Sequence, residues 1–190
     1  MEQNRLSIIK KIKNQLNLLS KFPFLSLLLI GIGAITIRLI FFQNELIFNS
    51  DNLLYFKHSI DLSKIGESSI NLQNDGWPQL LSLFLRLFDS ENFLHYMNLQ
   101  SYLTISFSVL TIIPLYFFAR KFVNSSLAII STIFFVFEPR IIQNSLIGTT
   151  DPLFILLIVT SLALVIQKSK YLILISFSLF SILSIIAFSF

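Results

Sequence analysis

An acid, an amide, a phenol, an ammonium and an imidazole fall close together in this chain, as Asp51, Asn52, Tyr55, Lys57 and His58. A second acid, Asp151, opens another apolar run, and Arg140 precedes it. A carboxylate can draw a proton from an attacking hydroxyl or amide. Cationic groups can hold an anion that departs. The first cluster begins where the first long apolar run, Phe22 to Phe42, stops. Polar groups gathered at a membrane boundary of an apolar chain mark a candidate site. A carboxylate just outside a hydrophobic helix is also partly stripped of water and so a stronger base. Each residue has a plainer reading as well. A chain leaving a membrane is polar as a rule, and an acid at position 151 suits the first turn of a helix. Tyr55 suits an interfacial aromatic belt, and Lys57, His58 and Arg140 suit solvated loops.

The elements that position these residues are set by composition. The chain is 54% hydrophobic and 13% charged, with a mean hydropathy of +0.77. Average soluble domains carry about 25% charged residues, so this much Phe, Ile and Leu belongs in a bilayer. Long apolar runs rather than strand alternation make the spanning elements helices. The expected fold is therefore an all-α membrane protein with about five transmembrane helices and interfacial helices in a long first outer loop. Absence of cysteine excludes disulfides, thiolate metal sites and a cysteine nucleophile.

Taken in order, residues 1–21 form a cytoplasmic, basic, amphipathic helix suited to anionic headgroups, with Arg5, Lys10, Lys11, Lys13 and Lys21. Residues 22–42 are the first span. Pro23 stands in its first turn, and Gly31, Gly33 and Ala34 form a small face. Arg38 near the outer end is placed to snorkel to headgroups or to pair with an acid. Residues 43–98 are the outer loop, with surface helices over Asp51–Leu62 and Pro78–Phe88 and Trp77 at the interface. Residues 99–118 are the second span, kinked at Pro114. The third span covers 122–138, Ile141–Thr150 is a linker, and the fourth and fifth spans cover 151–166 and 171–190.

Charge gives the orientation. The 1–21 segment, Arg120-Lys121 and Lys168/Lys170 hold nine of the fourteen basic residues and only Glu2 among the acids. The opposite connections hold nine of the ten acids. The positive-inside rule puts the N-terminus in the cytoplasm of an integral protein of the cell membrane, with the acid-rich face outside. The same distribution gives no reason to expect a nucleic-acid partner.

Several short motifs occur in a telling order. Arg38-Leu39 is followed by Asp51-Asn52-Leu53-Leu54-Tyr55, and then by Gly76-Trp77-Pro78-Gln79-Leu80-Leu81. Tyr116-Phe117-Phe118-Ala119-Arg120 ends the second span. Glu138-Pro139-Arg140 then leads to Thr150-Asp151-Pro152-Leu153-Phe154. From about Ile30 to Leu164 this order resembles the N-terminal part of GT-C membrane glycosyltransferases. These include protein O-mannosyltransferases, aminoarabinose transferases and the catalytic subunit of oligosaccharyltransferase.

The resemblance implies hexosyl or pentosyl transfer from a polyprenyl-phosphate-linked sugar on the outer face of the membrane. Asp51 would be the base or acceptor-orienting group, and Asp151 the second acid. Tyr55 would touch substrate, and Lys57, His58 and Arg140 would meet the donor phosphate. A divalent metal at Asp51 is the one cofactor it admits. Asp51-Asn52 stands where many members have two acids, and Trp77-Pro78 replaces a His-Pro-Pro type motif. Members also have many more helices, so a second chain completing the fold is an expected partner, beside the lipid-linked donor and membrane lipids. Two other classes compete. A truncated or accessory membrane subunit would keep the acids without catalysis. A small transporter would need ionisable groups at mid-membrane depth, whereas the spans offer Ser, Thr and Gln there.

Overall fold

The computed structural model describes residues 21–42, 50–66, 76–88, 92–167 and 169–187. The side chains of Ser50, Asp51 and residues 183–187 lie outside that description, as do the basic segment 1–20, the loop 67–75 and Asp89-Ser90-Glu91. Among the described residues all regular structure is helical: α1 (Pro23–Ile40), α2 (Ser50–Lys64), α3 (Gly76–Leu87), α4 (Phe93–Leu110), α5 (Ile112–Ala119), α6 (Ser125–Val136), α7 (Pro139–Ile147), α8 (Asp151–Val165) and α9 (Lys170–Ala187).

Helix α1 starts with proline in its first turn, where the missing N–H has no intrahelical partner to lose. Ser26, Leu27, Ile30, Ala34 and Arg38 form one inward stripe, while Phe24, Leu28 and Ile32 stay more than half exposed. In an apolar chain such exposure fits a face turned to lipid. Ala34 is the small residue fully covered by neighbours, and a methyl added at Gly33 would meet the Phe137 ring only at an ordinary 3.5 Å.

Helices α4 and α5 run on as one 27-residue apolar rod, Phe93–Ala119, broken lightly at Thr111. Pro114 cannot donate to the carbonyl four residues back, so the ladder is interrupted one turn ahead of it. This rod and α1 are long and apolar enough to cross a membrane. Helices α6 and α7 count as a third crossing only if taken together across a 51° bend. Five spans were expected; among the described residues two, or three with the bent pair, pass on length and composition. Helix α8 has 15 residues and is about 22 Å long at 1.5 Å per residue. That is short of a hydrocarbon core of about 30 Å.

The expected linker 141–150 is mostly helix. Glu138 caps α7 by accepting a 2.9 Å bond from the Ile141 amide, and Pro139 occupies the first turn. Gly148 stops the helix at φ 82°, in the left-handed region. The two short helices expected over Asp51–Leu62 and Pro78–Phe88 are present, as α2 and α3. Trp77, expected to face the interface, points into the protein. It is fully buried, edge-on to Phe107.

Two apolar clusters organise the packing. One joins α1, α5 and α6 through Leu27, Ile30, Ala34, Tyr116, Ala128 and Ile129. The other joins α2, α3 and the first turns of α4 and α8 through Phe56, Trp77, Leu81, Tyr96 and Leu153. Beyond these clusters, α4, α7, α2 and α1 meet through polar side chains.

Candidate functional site

That polar meeting point begins with a helix end that needs partners. The last carbonyls of any helix lack intrahelical donors, and the α7 terminus is deep in the bundle. Three side chains supply donors. Thr104 Oγ1 donates to Ser145 O at 2.7 Å, Gln100 Nε2 to Gly148 O at 2.7 Å, and Asn52 Nδ2 to Ile147 O at 2.6 Å. Gln100 and Thr104 lie one turn apart on α4, so a single face of that helix serves two carbonyls.

Arg38 closes the same arrangement from α1. It is completely buried. Its Nε donates to Ser145 Oγ at 3.0 Å and its terminal nitrogens to Ser108 Oγ at 2.8 Å, Ala34 O at 3.2 Å and Val136 O at 3.4 Å. The sequence suggested a snorkelling cation or one paired with an acid. Instead the guanidinium fork bridges α1, α4, α6 and α7 through neutral oxygens. A planar group with five donors can do this where an ammonium cannot.

Asp151 stands one connection beyond. Its exposed carboxylate accepts a 2.6 Å bond from Asn144 Nδ2 on α7. It also opens α8, where a negative charge is favoured by the helix N-terminus. Thr149 Oγ1 donates to Asn144 O at 3.1 Å and ties the connection back to α7. Asp151, Asn144, Ser108 and Thr111 border a crevice of about 10 Å³, room for roughly one water. Ser108 belongs to both groups: it accepts from Arg38 and it faces this crevice.

Asp51 lies in the first turn of α2. Its neighbour Asn52 reaches the end of α7, four residues before Asp151 in the chain, so the start of α2 and the start of α8 both adjoin one helix terminus. The remaining residues of the first cluster face different ways. Tyr55 is half-buried against the second apolar cluster. His58 is buried at 3% exposure, away from solvent. Lys57 is exposed and lines a separate groove with Lys64, not the Asp151 crevice. Arg140 is exposed in the first turn of α7, one turn before Asn144.

Among the described residues no three of His, Cys, Asp and Glu are grouped to hold a metal. The proposed metal role of Asp51 rests on a side chain outside the description. Sequence reading missed Asn144, Gln100, Thr104, Ser108 and Ser145. One signal was there: Gln100, Thr104 and Ser108 recur every four residues in an otherwise apolar span, which is a polar stripe on one helix face.

No protein-family model, curated protein or solved structure matches this chain.

Proposed function

We propose that the chain is the N-terminal module of a glycosyltransferase that uses a polyprenyl-phosphate sugar on the outer face of the membrane. The observation that carries this reading is the Asn52–Ile147 bond. It joins the helix start that bears Asp51 to the helix terminus that hands on to Asp151, which supports one shared site for the two acids. In the reaction, the acceptor oxygen or nitrogen attacks the anomeric carbon of the sugar. Asp51 takes the acceptor proton, the bond from the anomeric carbon to the phosphate oxygen breaks, and the polyprenyl phosphate leaves with that electron pair. Asp151, oriented by Asn144, holds acceptor or sugar hydroxyls. Arg140, in the first turn of α7, stabilises the departing phosphate charge. His58 supports α2 from within, and Tyr55 orients it against the second apolar cluster.

The test is transfer of radiolabelled sugar from lipid donor to acceptor in membranes containing the protein. Asp51→Asn should lower the rate about 10²–10⁴-fold, the range for a general base, while insertion and yield stay unchanged. Asp89→Asn, outside the proposed site, should keep the parental rate. Equal rates in all three would remove Asp51 as the base.

A second reading, an accessory membrane subunit without catalysis, is favoured by the size of the Asp151 crevice. At about 10 Å³ it admits water but no sugar. No transfer by the parent chain, alone or with a second chain, would select this reading.

A further inference from the structure

The groove that holds Lys57 lies apart from the Asp151 crevice. Its volume is about 490 Å³, within the roughly 300–1,000 Å³ range of ligand-sized pockets. The floor is apolar. Phe56 is fully buried and Tyr96 nearly so, and Phe56 meets Phe93 edge-to-face at 4.9 Å. Leu53 and Ile60 extend this floor along α2. The rim is different. Lys57 and Lys64 stand two helical turns apart on α2, both exposed, and Lys64 lies 6.0 Å above the Tyr96 ring. Among the described residues no carboxylate lines the groove. An apolar trough with two cations at its mouth complements an amphiphile with a negative head.

Position names the source. Phe93 is the first residue of the α4–α5 rod, which is long and apolar enough to cross a membrane, and α2 follows the end of α1. The groove therefore opens at the level where apolar chain gives way to polar loop, which is where lipid headgroups sit. We propose that it binds an anionic phospholipid of the surrounding bilayer, with an acyl chain along Phe56, Ile60 and Phe93 and the phosphate against Lys57 and Lys64. Such a lipid would fix α2 to the membrane edge. It is independent of the enzymatic reading, which places the sugar donor at the acids.

Native mass spectrometry of the full chain from mixed phosphatidylglycerol–phosphatidylcholine nanodiscs tests the site. The parent should retain phosphatidylglycerol above its share of the mixture. Lys57→Gln with Lys64→Gln should reduce that preference about tenfold, given the worth of a basic residue beside anionic lipid. Leu53→Trp, which keeps both charges and fills the trough from its exposed rim, should abolish retention. Lys21→Gln with Lys121→Gln, an equal charge loss remote from the groove, should change nothing. Unchanged preference in the groove variants, or equal loss in the remote pair, would overturn the proposal. Displacement of phosphatidylglycerol by an equimolar polyprenyl phosphate would overturn it too and hand the groove to the donor lipid. Inorganic phosphate should not displace the lipid; if it does, an anion site without a chain is all the groove provides, and the proposal fails.

Discussion

Gly148 meets two demands at once. Its φ of 82° is the left-handed conformation that stops α7, and a Cβ there would lie 3.0 Å from Gln100 Cγ and 3.1 Å from Nε2. Gln100 cannot retreat without giving up its 2.7 Å bond to the same residue's carbonyl. Gly66 has the same backbone, φ 83°, with nothing within 4 Å. Left-handed backbone costs an L-residue about 1–2 kcal/mol, and an orphaned buried polar group about 1–3 kcal/mol. Gly66→Ala should therefore show the first cost alone, and Gly148→Ala about 2–5 kcal/mol in total. Trp77, the sole tryptophan and fully buried, reports both in thermal unfolding. Equal shifts in the two variants would mean that the Gln100 contact contributes nothing. The stop was legible in the chain, since Gly148 precedes Thr-Thr-Asp-Pro. The helix before it was not: nine residues of mixed polarity carry little periodic signal, and donors from three distant helices hold its end.

At the scale of elements, α4 is the organising helix because of its polar stripe. Thr104→Val should cost about 1–3 kcal/mol, because Ser145 O then loses its buried donor without gaining a partner. Ser106→Ala, on the exposed side where the hydroxyl bonds only to Tyr102 O one turn back, should fall within about 0.5 kcal/mol of the parent. Chemical denaturation in a mild detergent measures both, and similar losses would deny α4 its special face. Most helices here announce themselves by composition and by proline or asparagine at their starts: Asn92 and Asn124 cap α4 and α6 through their side chains. What composition could not give was Arg38. A cation near a helix end reads as snorkelling, because nothing in its neighbours along the chain reveals that Ser108 and Ser145 wait inside.

For the whole molecule, the two apolar clusters divide the bundle into ends. Lys21, Arg120, Lys121 and Lys170 are exposed beside the starts and ends of α1, α5 and α9. Arg38, Asn52, Gln100 and Asp151 gather at the opposite ends of their helices. By the positive-inside rule we propose that the first end is cytoplasmic. Single cysteines at Ser69 and Ser169 check this with an impermeant thiol reagent on whole cells. Position 69 should label and 169 should not; the reverse result would invert the protein. The count of crossings was the least legible property. Hydropathy ends a run such as 122–138 at Glu138, whereas the chain turns there through 51° and continues as α7, packed along α4.

The buried guanidinium also sets an order of assembly. Its bond to Ser145 closes over 107 residues and that of Asn52 to Ile147 over 95, whereas most other side-chain bonds stay within one turn. Loop closure over such distances comes after local helices have formed. During synthesis α1 therefore enters the bilayer with Arg38 still short of the hydroxyl of α7, and the charge must find temporary company in water, headgroups or translocation machinery. Only when the chain has emerged through Gly148 can the fork, the serine and the carbonyls lock. The closing of this polar junction thus waits for nine residues that look, along the chain, like a connection.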